Sequence, residues 1–148
     1  MTTAFVSIQA AIVAALAQAP ALAGGRVFAN RVRAVAQQYD AYLVVRTDQA
    51  AATETVLGFN DWQTVYAIEA YARASTAGAD PVAVVDALLA DVWARVNALQ
   101  PVNLGVMQID TRPGIDWQVD DGETPVACAV LRIVCTHRTP CNSLEPTP

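Results

Sequence analysis

The chain of 148 residues has no lysine, one histidine (His137) and three serines (Ser7, Ser75 and Ser143), and these scarcities remove whole classes of chemistry. None of the serines stands in a Gly-x-Ser-x-Gly elbow, so the strained turn that exposes a nucleophile in that class of hydrolase is missing. The seven glycines are dispersed, so there is neither a phosphate-cradling P-loop nor a dinucleotide fingerprint. All nine basic residues are arginines, scattered from Arg26 to Arg138, and the formal net charge is −5. Binding nucleic acid through its phosphates needs a concentrated basic surface, so specific DNA or RNA binding is excluded as the expected role. No apolar run reaches the roughly 18 residues that a membrane-spanning helix requires.

What is present is apolar: 54% of residues are hydrophobic, many of them alanine, and mean hydropathy is +0.30. That is a mild sign of surface buried against partner subunits. Residues 5–23 are apolar and end in Ala21-Leu22-Ala23, which resembles an export-cleavage site. The first basic residue is only Arg26, however, and Phe5, Ile8, Ile12 and Leu16 step by three, four and four along one helical face. A helix of the domain over residues 5–18 is therefore expected. The competing reading, a secreted protein, would show processing after Ala23.

Farther on, residues 26–28 suit a short strand, residues 41–47 (AYLVVRT) a longer one, and residues 54–57 another short one. Residues 48–53 read as a connection and residues 58–61 (GFND) as a turn. Residues 62–72 alternate as a strand does, with Trp62, Thr64, Tyr66, Ile68 and Ala70 on one side. A helix follows Asp80, its expected N-cap, with Pro81 at the first position and Val82, Val85, Leu89, Val92, Val96 and Leu99 on one face. Asp91 and Arg95 are spaced as an i,i+4 pair. Residues 106–111 read as a strand, 113–123 as a loop and 124–137 as a long strand. The expectation is one α+β domain over residues 1–138: a mixed or antiparallel sheet of about four to five strands with two helices packed on one face, and a flexible tail over 139–148. Alternating βαβ units are absent.

Two constellations carry possible chemistry. Cys135, His137 and Cys141 offer three soft ligands but no fourth for a structural zinc site. On a strand, Cys135 and His137 share a face that Cys128 does not, so a Cys128–Cys135 bridge is not expected. The bland reading is two small core cysteines and one in the tail, in a reducing compartment. The expectation is no catalytic residue, no metal and no cofactor; the competing reading is a small metal- or thiol-dependent enzyme working through Cys135 and His137. Over residues 101–125, Asp110, Asp116, Asp120, Asp121 and Glu123 stand against Arg112, a local charge of −4. With Trp117 among them, these acids read either as a solvated loop or as an interface or channel lining.

Four stretches in order (residues 5–28, AYLVVRT, WQTVYAIEAYARA with DPVAVVDALLADVWARVNALQ, and the closing strands ending VACAVLRIVCTHR) resemble the tail terminator (tail completion) proteins of long-tailed bacteriophages, the family of the lambda minor tail protein U. The chain departs from that pattern at Ala41-Tyr42 and in its cysteine-bearing end. The resemblance implies a structural virion protein and not an enzyme. Such a protein forms a ring of copies of itself, six expected, that caps the tail tube, stops its growth and presents a surface for head–tail joining. Its partners would be the tail tube protein and a head-completion or connector protein. DNA would pass through the ring, and the ring would sit in the virion tail after assembly in the host cytoplasm. Another head–tail connector or neck-ring component is the alternative within that class. Arg31, Arg33, Asp116, Trp117, Asp120 and Asp121 are the expected interface or lumen residues.

Overall fold

The computed structural model describes residues 2–30, 39–74, 78, 80–122 and 124–147. The helical stripe read in the N-terminal sequence forms α1, Ala4–Ala17, capped by Thr3, whose hydroxyl accepts from the Val6 N–H. Its Ile8, Ile12 and Leu16 are buried, as is Gln9. The Gln9 amide donates to the Val45 carbonyl (2.7 Å) and pairs with the Asn30 amide, so a polar group inside the core is fully used. A 3-10 turn, Leu22–Gly25, leads into strand β1, Val27–Ala29.

Strand β2, Ala41–Val56, is more than twice the expected length. The residues read as a connection, 48–53, lie within it, and bulges at the register shifts between Thr47 and Gln49 and between Ala52 and Glu54 absorb the pattern breaks that suggested a loop. The turn also falls earlier than expected. Leu57 and Gly58 both have positive φ (47° and 88°), the combination a two-residue hairpin needs, and Phe59 already opens β3, Phe59–Arg73.

Helix α2, Pro81–Asn97, begins as the sequence dictates, with Asp80 Oδ1 accepting from the Val82 N–H at 3.0 Å. Val85, Leu89, Val92 and Val96 are buried, with Leu88 beside them, whereas Val82 is partly exposed. Arg95 does not form the expected pair with Asp91. Its guanidinium donates instead to the carbonyls of Ala15, Gln18 and Pro20, tying α2 to the frayed end of α1. A short helix α3, Pro101–Leu104, not foreseen from the sequence, precedes β4, Gln108–Asp120, and β5, Val126–Pro140.

The fold is α+β: one mixed sheet in the order β1-β2-β3-β5-β4, with β1 parallel to β2 and the other pairs antiparallel. α1, α2 and α3 share a single apolar core with Leu43, Val45, Tyr66, Ile68, Leu131 and Ile133, all on one face of the sheet. Residues 139–147, within the segment expected to be a loose tail, begin inside β5 and are bonded back: Cys141 N–H donates to the Gly58 carbonyl, the Thr147 hydroxyl to the Arg138 carbonyl, and the Ala4 N–H to the Leu144 carbonyl.

Candidate functional site

The segment expected to be an acidic loop, residues 113–123, is mostly strand. β4 runs through it to Asp120, and only the turn at Asp121-Gly122 falls where the sequence signal put one. Pro113 and Gly114 suggested a turn because neither suits a paired strand interior. Here they sit in a bulge in which residues 112–114 stand opposite the single Arg132, on an edge strand whose outer side needs no N–H.

Strand alternation then divides the expected cluster. Asp116 and Asp120 pair with Val130 and Val126 and face away from the helices, whereas Trp117 pairs with Ala129 and faces the helix side. The tryptophan and the acids are thus neighbours in sequence but on opposite faces. Arg31 and Arg33 lie outside the described residues.

Of the acids Asp116 and Asp120, Asp116 joins a lattice on the helix-free face that sequence reading missed. Arg46 on β2 and Arg132 on β5 both pair with Ala67 of β3, one on each side, and the small Ala67 leaves room above it for both side chains. Asp48, at the bulge in β2, bridges the two: Arg46 Nη1 lies 2.8 Å from one of its oxygens and Arg132 Nε 3.1 Å from the other. Arg46 also pairs with Glu69, Arg132 with Asp116, and the Tyr71 hydroxyl donates to Glu69 at 2.8 Å. The hydrogen bond from Arg132, together with Arg46, holds the Asp48 carboxyl below the ordinary carboxylate range. Both guanidiniums are correspondingly raised, Arg46 chiefly by Glu69 and Arg132 chiefly by Asp116. Beneath this lattice lies a thin apolar layer of Ala67, Cys128 and Val130, with Tyr42 and Tyr71 stacked at 4.9 Å. The bulge that delivers Asp48 was the missed signal: Thr47-Asp48 breaks the β-branched run, which reads as a strand end.

The Cys135–His137 face is interior. His137 is 1% exposed; its Nε2 meets the Thr64 hydroxyl at 2.9 Å and its ring packs edge-on against Phe5, while its buried Nδ1 has no partner among the described residues. Burial lowers its pKa and pushes the Cys135 thiol up to about 12. Cys141 lies apart, exposed just past the end of β5, and no disulfide joins any of the three cysteines. Among the described residues, no group of three or more His, Cys, Asp or Glu is placed to hold a metal ion. No helix there is long and apolar enough to cross a membrane.

No protein-family model and no curated protein matches the chain. Among solved structures, one chain described without a function aligns with 88% of this chain and 94% of its own length, at 23% identity and a TM-score of 0.48, a likeness too slight to carry an argument.

Proposed function

We propose that this protein is a structural component of a phage virion, a tail-terminator-type subunit that assembles with copies of itself into a ring. The ring caps the tail tube, ends its elongation and offers the surface for head–tail joining. The observation that carries this reading is the sheet itself. It is bordered by two different margins with no further strand paired to them among the described residues: β4 along one side, and β1 with the outer side of β2 beyond Val45 along the other. A subunit with two unlike margins suits head-to-tail contacts that close by rotation. The order of helix, strand, long hairpin, helix and closing hairpin also agrees with the four stretches that carry the resemblance. The acid excess of the chain, with no lysine, suits a channel through which DNA passes without adhering. Of the two roles expected for the acidic stretch, the position of Asp120 and Asp121 at the end of an edge strand supports the interface role.

The test is mass measurement in solution followed by electron microscopy, on the protein alone and mixed with purified tail tubes. Annular particles, or rings at tube ends, are expected. A protein that stays monomeric and never joins a tube would overturn the reading.

A further inference from the structure

The helix layer stops short of the sheet's last strand. α1 lies over β1 and β2 and α2 over β3 and β5, while no helix packs extensively on β4. Ile115, Trp117 and Val119 pair with Leu131, Ala129 and Ala127 of the helix-side core, yet they are 37%, 42% and 50% exposed. On the other face the same stretch carries Asp116, Gln118 and Asp120. β4 is also an edge of the sheet, and residues 115–120 hold none of the usual guards against strand pairing, neither proline nor a cation. An apolar row beside unpaired backbone groups suits the addition of another strand.

A second copy of β4 meets what this edge requires. Identical edges pair antiparallel about a two-fold axis normal to the sheet, which keeps both helix layers on one side. Directly opposite residues share a face, so the axis passes through one residue and its own copy. An axis at Asp116 sets that carboxylate against itself, and one at Gln118 sets Asp116 against Asp120 of the other copy. An axis at Ile115 draws Pro113 and the bulge into the ladder, and one at Val119 runs past the end of the strand. An axis at Trp117 avoids all four faults: Trp117 meets Trp117, Ile115 meets Val119, and Asp116 meets Gln118. Farther out, Asp120 falls opposite Gly114, with Arg112 of that copy close enough along the strand for a long side chain to reach it. Among the described residues no ion pair engages Arg112, Asp120 or Asp121, and this contact brings the opposite charges together.

We infer that free copies of this protein pair two-fold through β4, with Trp117 at the axis, Ile115 against Val119, and Arg112 beside Asp120 and Asp121 of the other copy. The pair joins two five-stranded sheets into one continuous sheet and covers the β4 margin. Pair and ring are therefore alternative states of the chain: a subunit leaves its twin before that margin takes part in a ring.

Sedimentation velocity over a concentration series should show wild-type dimers. The exposed double variant Trp117→Ser/Val119→Ser, with its fold checked by circular dichroism, should associate about 30-fold more weakly. Arg112→Asp protein and Asp120→Arg/Asp121→Arg protein should each pair poorly alone and well when mixed, because the mixed pair restores both opposite-charge contacts. Cross-linking under mild oxidation, in proteins that also carry Cys141→Ser, reads the register. Ile115→Cys and Val119→Cys proteins should join to each other and neither to itself, while Trp117→Cys protein, on the axis, should join to itself. Wild-type protein without a dimer, or a mixture of the Ile115→Cys and Val119→Cys proteins that does not cross-link, would overturn the pair. Either result leaves the ring reading intact, because that is decided separately, by whether protein added to tail tubes caps their ends.

Discussion

The two faces of the sheet meet in β3, where residues 64–70 are buried on both sides, yet they are covered by different chemistry. On the helix face, Tyr66 and Ile68 lie under Ile12, Leu16, Val85 and Val92 in a continuous buried apolar layer. On the other face, Ala67 and Val130 lie under the long side chains of Arg46, Glu69 and Arg132, which fold down on a shallow apolar layer and keep their charges at the water boundary. Burial in the first case depends on shape and volume. In the second it depends on charges that titrate and are screened by salt. One sheet therefore has two kinds of stability, and each should fail under its own perturbation.

Volume gives the largest difference. Leu131 is fully buried at the centre of the helix face, and Leu131→Ala should cost about 3 kcal/mol, the removed atoms plus the cavity they leave. On the open face, Asp48→Asn removes a partner shared by two arginines whose side chains are 39% and 29% exposed, and should cost only about 0.5–1 kcal/mol. Urea unfolding of both variants at neutral pH checks the ratio. Equal losses would mean that the ion-pair lattice is as important to the fold as the core.

Acid separates the faces again, by where on the pH scale stability is lost. The pKa of His137 is lowered by burial, so its neutral form contributes stability that is fully present above the unfolded value of about 6.5 and is lost as pH falls through the lower folded value. The pKa of Asp48 is lowered by its arginines, so its contribution is present above the unfolded value of about 3.9 and disappears only in stronger acid. Asp61, paired with Arg138 at 2.6 and 2.8 Å, shifts in the same direction as Asp48. Urea midpoints measured from pH 8 to pH 3 should show an upper loss that His137→Gln flattens and a lower one that Asp48→Asn flattens. High salt should weaken the lower loss more than the upper. A single loss that both variants alter alike would mean the two faces are coupled.

The helix face is the half that sequence alone made legible. Its residues recur at three and four in the helices and at two in the strands, and period is what hydrophobic pattern reports. α1, α2 and its cap at Asp80, and the alternation of β3 were readable for that reason. The open face was not, because its order comes from three local defects: bulges at Asp48 and Thr53, and a wide one at residues 112–114. Each places a polar or Pro-Gly pair inside a strand, and locally that looks the same as a turn. The reading of residues 113–120 as loop and of 48–53 as a connection failed there. Trp117 is exposed, but its opposition to Asp116 across the sheet depends on strand parity, which a loop reading does not supply.

The smallest contrast is between two thiols on the two faces. Cys135 is fully buried on the helix face, between strands that pair on both sides, and its pKa of about 12 leaves almost no thiolate at pH 8. Cys128 is 6% exposed on the open face, beneath side chains whose ion pairs open without disturbing the core. Cys141 is exposed. A thiol reagent at pH 8 should therefore consume Cys141 at once, Cys128 slowly through local opening, and Cys135 only at the rate of global unfolding. Leu131→Ala should accelerate Cys135 strongly and Cys128 little, while Asp48→Asn should do the reverse. If Cys128 and Cys135 react with one rate constant in all three proteins, the two faces open as a single unit, and the lattice over Ala67 is as much part of the core as Leu131.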